Sequence, residues 1–278
     1  MYHRIVAQPE SVFDRRPEDF RAELERLATA GYVPITTADL AAARIDVPAG
    51  AHPVVLTFDD GAPSQLTFDA AGEPSPDCAV GILLDVARRH PSFRAVASFY
   101  VNADPFGEPG GTRGLRWLHD HGFEIGDHTL HHANLAAISP ADVQHEIAAE
   151  QQVITRAVPE AAVATIALPF GVHPGQRDLS MHGAADGLVY DLRGVLLVGA
   201  NPAPSPFSLT FDPANIPRVR SQGSTGPDAR YGSSAWLDVL DAQPEARYTS
   251  DGDPDRVTFP GADAAALAPA FAGQARPY

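Results

Sequence analysis

The sequence predicts an α/β barrel of mostly parallel strands with helices outside, and three observations lead there. The chain has 278 residues, a length suited to one barrel of about 250 residues. Strand-like and helix-like segments alternate along most of it, with turn residues at the strand ends, which is the rhythm of repeated β-α units. Val54-Val55-Leu56-Thr57-Phe58 is a continuous apolar run, as expected of a strand buried on both faces.

Taken in order, Tyr2 to Val6 reads as a first strand. Pro17-Glu18-Asp19 opens a helix with Phe20, Leu24 and Leu27 on one face, closed by Gly31. Tyr32 to Thr36 is a short strand, and Thr37 caps a small helix through Leu40. The strand from Val54 to Phe58 follows, then a helix carrying Val80, Leu83, Leu84 and Ala87, and a strand from Ala95 to Val101. Leu115 and Leu118 sit on a helix stopped by Gly122, before the strand Phe123 to Gly126. Ser139 with Asp142 three residues on is a capping-box-like start to a long helix. Further strands are expected at Thr165 to Leu168, Val195 to Val198, Ile216 to Val219 and Arg247 to Thr249, with a helix near Ala235 to Leu240. Residues 1–260 form one domain in this reading, and residues 261–278 an Ala/Pro-rich, loosely packed tail.

Every one of the 20 basic residues is arginine, set against 35 acidic ones, for a formal charge of −15. The absence of lysine excludes Schiff-base chemistry and a Walker-type phosphate lysine. An acidic chain without a basic patch is also a poor nucleic-acid binder. The single cysteine, Cys78, has no internal disulfide partner. No apolar stretch approaches the roughly 18 residues of a transmembrane helix, and no signal peptide is recognisable. The start within a strand leads to the expectation that an upstream export segment is missing.

In a parallel barrel, chemistry gathers beyond the C-terminal ends of the strands. Asp59-Asp60-Gly61 follows one such strand, although Asp-Asp-Gly is equally ordinary turn chemistry. His128 and His132, in His128-Thr129-Leu130-His131-His132, are four apart, so on a helical turn both rings would face one ion; a solvated patch is the alternative. Two histidines and one aspartate with an open position are a familiar catalytic ligand set for a divalent metal.

Together these segments resemble the polysaccharide deacetylase family, carbohydrate esterase family 4 with its NodB-type homology domain. Thr57-Phe58-Asp59-Asp60-Gly61 and His128 to His132 match the order and spacing of the family's T-F-D-D-G and H-[ST]-x-x-H segments. Ala97 to Val101, Glu124 to Thr129 and Asn134-Leu135 resemble its A-T-F-F-V, E-I-G-N-H-T and P-N-L surroundings, and Met1 to Ile5 the first strand of relatives acting on poly-N-acetylglucosamine. The likeness runs from about Met1 to Gly171 and is weak beyond.

The resemblance implies a distorted (β/α) barrel and metal-dependent deacetylation of a polysaccharide or oligosaccharide, most readily one containing N-acetylglucosamine, outside the cytoplasm. It makes Asp59 the general base, Asp60, His128 and His132 the ligands of a divalent metal, foremost Zn²⁺, and the Phe170 N–H a donor to the tetrahedral oxyanion. Two features depart from the pattern. The family's arginine that tethers the base is Ala167 here, leaving Arg218 as a candidate against a surface role. The late histidine serving as general acid is absent, since none follows His182, and His3 is the substitute, with a structural histidine as the alternative. Asp251 is a further candidate at the barrel mouth. Tyr231 and Trp236 are candidates for a sugar groove, with core packing the alternative for Trp236. A degenerate glycan-binding member and an O-acetyl esterase are the rival functions. A glycoside hydrolase fits less well, because its carboxyls stand roughly 5 to 9.5 Å apart.

Overall fold

The computed structural model describes residues 1–278. In chain order it contains α1 (Pro17–Thr29), β1 (Tyr32–Ile35), α2 (Thr37–Ala41), β2 (His52–Val55), β3 (Thr57–Phe58), α3 (Ala79–Arg89), β4 (Ser98–Val101), α4 (Thr112–Asp120), β5 (Glu124–Asp127), α5 (Pro140–Ala157) and β6 (Thr165–Ala167). Then come β7 (His182–Ala185), β8 (Leu188–Asp191), β9 (Gly194–Leu196), α6 (Ser233–Ala242), β10 (Val257–Phe259) and β11 (Ala275–Pro277).

Parallel pairing in the order β3-β4-β5-β6-β9 makes the principal sheet. Two extended segments carry it round. Ile216 bridges Leu196 and Val219 bridges Gly199 on one edge, while Tyr2 bridges Phe58 on the other. The two segments meet where the Met1 amine donates to Val219 O at 2.9 Å and Ser221 N to Met1 O at 2.9 Å. The result is a distorted (β/α) barrel, as the sequence predicts.

Strand alternation sorts the side chains. Phe58, Phe99 and Ile125 point out into one core with Phe20 and Leu24 of α1 and Leu83 of α3. Tyr100, Ala167, Leu196 and Ile216 pack inward. A Cβ at Gly126 would come within 2.4 Å of the Tyr100 ring, so glycine is what admits that ring to the interior. Below it, Glu124 accepts from Ser98 Oγ and Thr165 Oγ1, each at 2.6 Å, and from Ala38 N at 3.1 Å. The start of α2 thereby plugs the barrel floor, and burial pushes the Glu124 carboxyl up.

Several elements differ from expectation. The run from Val54 to Phe58 is two strands: β2 pairs with β1, whereas β3 enters the barrel. Thr36, rather than Thr37, caps α2 by accepting from Asp39 N. No strand forms at Arg247 to Thr249, while the antiparallel pair β7-β8 went unforeseen. The segment expected as a loosely packed tail returns to pair β11 with β10, and Leu267 and Phe271 pack on a small core with Phe207 and Val33. Ser139 caps α5 as predicted, accepting from Asp142 N at 3.2 Å.

Candidate active site

Asp59 is the first residue past β3, at the C-terminal end of the barrel wall, and is only 2% exposed. Arg218 grips it with two parallel bonds, Nη1 to Oδ1 and Nη2 to Oδ2, both 2.7 Å. The guanidinium is itself buried and fixed by Nε donating to Leu197 O at 2.9 Å. Of the two readings for Arg218, the structure selects the tether. Burial pushes the Asp59 carboxyl up, but the Arg218 guanidinium paired with it outweighs burial and holds it well below the usual carboxylate range. Ala167 meanwhile lies in the apolar barrel interior.

The chain then turns through left-handed Asp60, φ 76°, and Gly61, φ 58°. This swings the Asp60 carboxylate towards two imidazoles, with Oδ1 at 3.3 Å from His128 Nε2 and 3.6 Å from His132 Nε2. The three donor atoms lie within 4.8 Å of one another. His128 is buried, and its Nδ1 lies 2.7 Å from the Ala167 carbonyl, a contact that assigns the proton to Nδ1 and leaves Nε2 as a lone-pair donor. Asp60 and His132, with side chains 41% and 36% exposed, keep the cluster open towards solvent. A set of two neutral imidazole nitrogens and a carboxylate with an open side fits a divalent cation.

The expected helical turn between the histidines is absent. Thr129 and His132 adopt left-handed φ values of 62° and 53°, and these bends bring the rings together, centroids 4.8 Å apart. Two residues that the sequence reading passed over hold the loop. Asn102 Nδ2 donates to the carbonyls of His128 and Thr129, both at 2.7 Å. Glu146 on α5 accepts from His131 N and pairs with His131 Nδ1, both at 2.8 Å. His131 thus faces away from the cluster.

His3 stands on the other side of the carboxylates. Its Nδ1 is buried without a partner, and its ring lies 4.9 Å from that of Phe13. Burial lowers the imidazole, more than the Asp59 and Asp60 charges raise it. Phe170 projects into solvent, 60% exposed, with left-handed φ 58° and its ring 4.8 Å from His132. The Phe170 N–H has no acceptor within the protein. Asp251 is not at the mouth: it is exposed and bonded to Thr258, in a segment packed on Ala49 and Gly50. Trp236 donates to Ala200 O at 2.7 Å and lines a cavity of about 380 Å³ near the barrel floor, whereas Tyr231 is at the surface.

A family model described as polysaccharide deacetylase matches residues 46–180. The matched stretch includes Asp59, Asp60, His128, His132 and Phe170, while His3 and Arg218 lie outside it. A chitooligosaccharide deacetylase of Bradyrhizobium sp. (strain ANU 289) is 30% identical over 125 residues, 44% of this chain and 48% of the relative. The chain therefore spans about half the length of that curated relative. Among solved structures, a deacetylase of Streptococcus pyogenes in complex with acetate superposes with a TM-score of 0.59 at 18% identity, over 82% of this chain and 93% of that one. The IcaB protein of Ammonifex degensii gives 0.53 at 18% identity, over 85% and 94%. These two likenesses concern the fold. No helix is long and apolar enough to cross a membrane.

Proposed function

We propose that this chain, which a polysaccharide deacetylase family model matches over residues 46–180, hydrolyses acetyl groups from an N-acetylglucosamine-containing polysaccharide or oligosaccharide of the cell envelope or an exopolysaccharide. The observation that carries this reading is the convergence of Asp60, His128 and His132 beside the arginine-clamped Asp59. Asp60 Oδ1 and the Nε2 atoms of His128 and His132 would hold a divalent cation, with Zn²⁺ the best match to this donor set. Such a cation, when bound, supplies Lewis acidity that polarises an acetyl carbonyl and acidifies water.

The protein's own groups then take four tasks. Asp59 accepts the proton of the attacking water. A carboxylate held so low is a weak base, which makes the acidified water a requirement of the mechanism. The unpaired Phe170 N–H donates to the oxyanion of the tetrahedral intermediate. His3, opposite the histidine pair, delivers a proton to the leaving amine. Its lowered affinity for protons makes the imidazolium a stronger acid than an ordinary one. Arg218 fixes the orientation of Asp59 and keeps it ionised.

The test is acetate release from chitooligosaccharides before and after chelation and re-addition of Zn²⁺, alongside metal content. Activity that disappears with the metal and returns with it supports the reading. A protein that retains neither metal nor deacetylase activity after loading would sink it. The absence of a late-strand histidine favours one second reading, hydrolysis of O-acetyl esters, because an alkoxide leaves with less help from an acid than an amine does.

A further inference from the structure

Beside the carboxylate site lies a second recess of about 290 Å³, lined by Val198, Gly199, Ala200, Arg220, Asp228 and Tyr231. We propose that it is a glycan subsite taking a neutral pyranose ring next to the sugar whose acetyl group meets Asp59 and Asp60. This rests on the deacetylase reading and adds to it an extended, uncharged substrate.

Two walls join the recess to the site. Arg220 follows Arg218 by two positions on one extended segment, so both side chains leave the same face, Arg218 reaching Asp59 and Arg220 the rim. The Arg220 guanidinium lies 5.3 Å from the centre of the Phe13 ring, and that ring is 4.9 Å from His3. On the other side, Phe170 leads into Gly171, whose φ of +66° turns the chain against Val198. A Cβ on Gly171 would come 2.5 Å from Val198 N, so the loop bearing Phe170 abuts the recess wall.

The lining has the chemistry that an uncharged sugar requires. Arg220 donates its one hydrogen bond to Gln222 Oε1 at 2.6 Å, and its Nε is buried without an acceptor. Gln222 in turn donates to Pro227 O at 2.7 Å, bracing the loop that leads to Asp228. Asp228 lines the same recess in an exposed, left-handed conformation at φ 59° and forms no ion pair with Arg220. Arg220 and Asp228 therefore both line the recess without pairing with each other. Tyr231, 41% exposed, offers aromatic surface for the C–H face of a pyranose, with Arg230 stacked on its ring at 4.5 Å. Hydroxyls can use both charged groups, whereas an acidic sugar would meet the Asp228 carboxylate on a chain of formal charge −15.

The experiment compares N-acetylglucosamine with its β-1,4 tetramer in wild type, Tyr231→Ala and Arg220→Met, with calorimetry of the tetramer and of a tetragalacturonate in parallel. In wild type the tetramer should exceed the monomer in kcat/KM by about tenfold, and in Tyr231→Ala this advantage should collapse to within about twofold, through KM with little change in kcat. Both variants should also lose most of the calorimetric binding of the tetramer. An undiminished advantage in both variants, or tighter binding of the galacturonate by wild type, would overturn the subsite. If wild type releases no acetate from either sugar, the deacetylase reading fails, and calorimetry alone decides the subsite. Tetramer binding lost in Tyr231→Ala then supports it, and binding that is retained or absent from the start refutes it.

Discussion

Asp59 and Arg218 form a buried ion pair with both carboxylate oxygens and both terminal guanidinium nitrogens engaged. Breaking such a pair on one side leaves a buried charge without compensation, at about 3–5 kcal/mol. Arg218→Met should therefore destabilise the fold by about that amount in urea titrations, and adding Asp59→Asn should restore much of it; a loss that simply adds across the two changes would refute the pairing argument. Arg218→Lys should not rescue, since a point charge cannot reproduce the planar fork. Asp59→Asn alone should retain metal yet lose acetate release, whereas Asp60→Asn and His132→Ala should lose metal. Equal metal loss in Asp59→Asn and Asp60→Asn would mean the two carboxylates are misassigned. His3→Ala should lower the N-acetyl rate by about 10² to 10⁴ and the O-acetyl rate much less. Burial sets His3 below the ordinary imidazole value, so chemistry needing its protonated form falls off as pH rises through that lowered value. An N-acetyl rate unchanged in His3→Ala would remove it from the mechanism.

The helix α5 serves the site from outside the barrel. Its Glu146 fixes the loop of His131 and His132, and one turn further Glu150 is fully buried with neither carboxyl oxygen partnered. Burial first, and the neighbouring Asp127 charge second, push Glu150 up to about 10 from 4.5. The sign follows: the folded state holds this proton more tightly than the unfolded chain, so the stability is full below about 4.5 and is lost as pH rises towards about 10. Burial also pushes Asp127 up to about 7, which steepens the lower part of that range. Wild-type stability should decline between pH 5 and 9, by up to about 1.4 kcal/mol per pH unit for each of the two protons held, and Glu150→Gln should remove the Glu150 share of the slope. Denaturant melts at three pH values check this, and equal slopes in both proteins would refute it. At the helix start, Ser139→Ala should cost about 1 kcal/mol through loss of the bond to Asp142 N.

For the whole molecule, the proposed cation ties strands together, because Asp60 follows β3 while His128 and His132 follow β5. A ligand bound only by the folded state stabilises by mass action, about 2.7 kcal/mol at a hundredfold excess over its Kd. Zn²⁺ should therefore raise the melting temperature of wild type and not that of His132→Ala. Equal shifts in the two proteins would place the ion elsewhere.

Those parts of the molecule whose physics is local could be read from the residues alone. Period and end signals defined α1 and α5, and the Ser139 cap needed only neighbours three residues away. Asp59, Asp60, His128 and His132 were legible because ligand and base types stand just past strand ends in short motifs. The division of one apolar run into β2 and β3 was not legible, since both halves suit a strand and only their different partners separate them. The left-handed bends at Thr129 and His132 were equally hidden, being imposed on residues with no intrinsic preference for them by Asn102 and Glu146. Arg218 was one candidate among 20 arginines. What placed it on Asp59, 159 positions away in the chain, was closure of the barrel, which sets strand neighbours and register by total packing and backbone pairing. Contacts of that separation carry no local signature, and so the tertiary structure alone decided them.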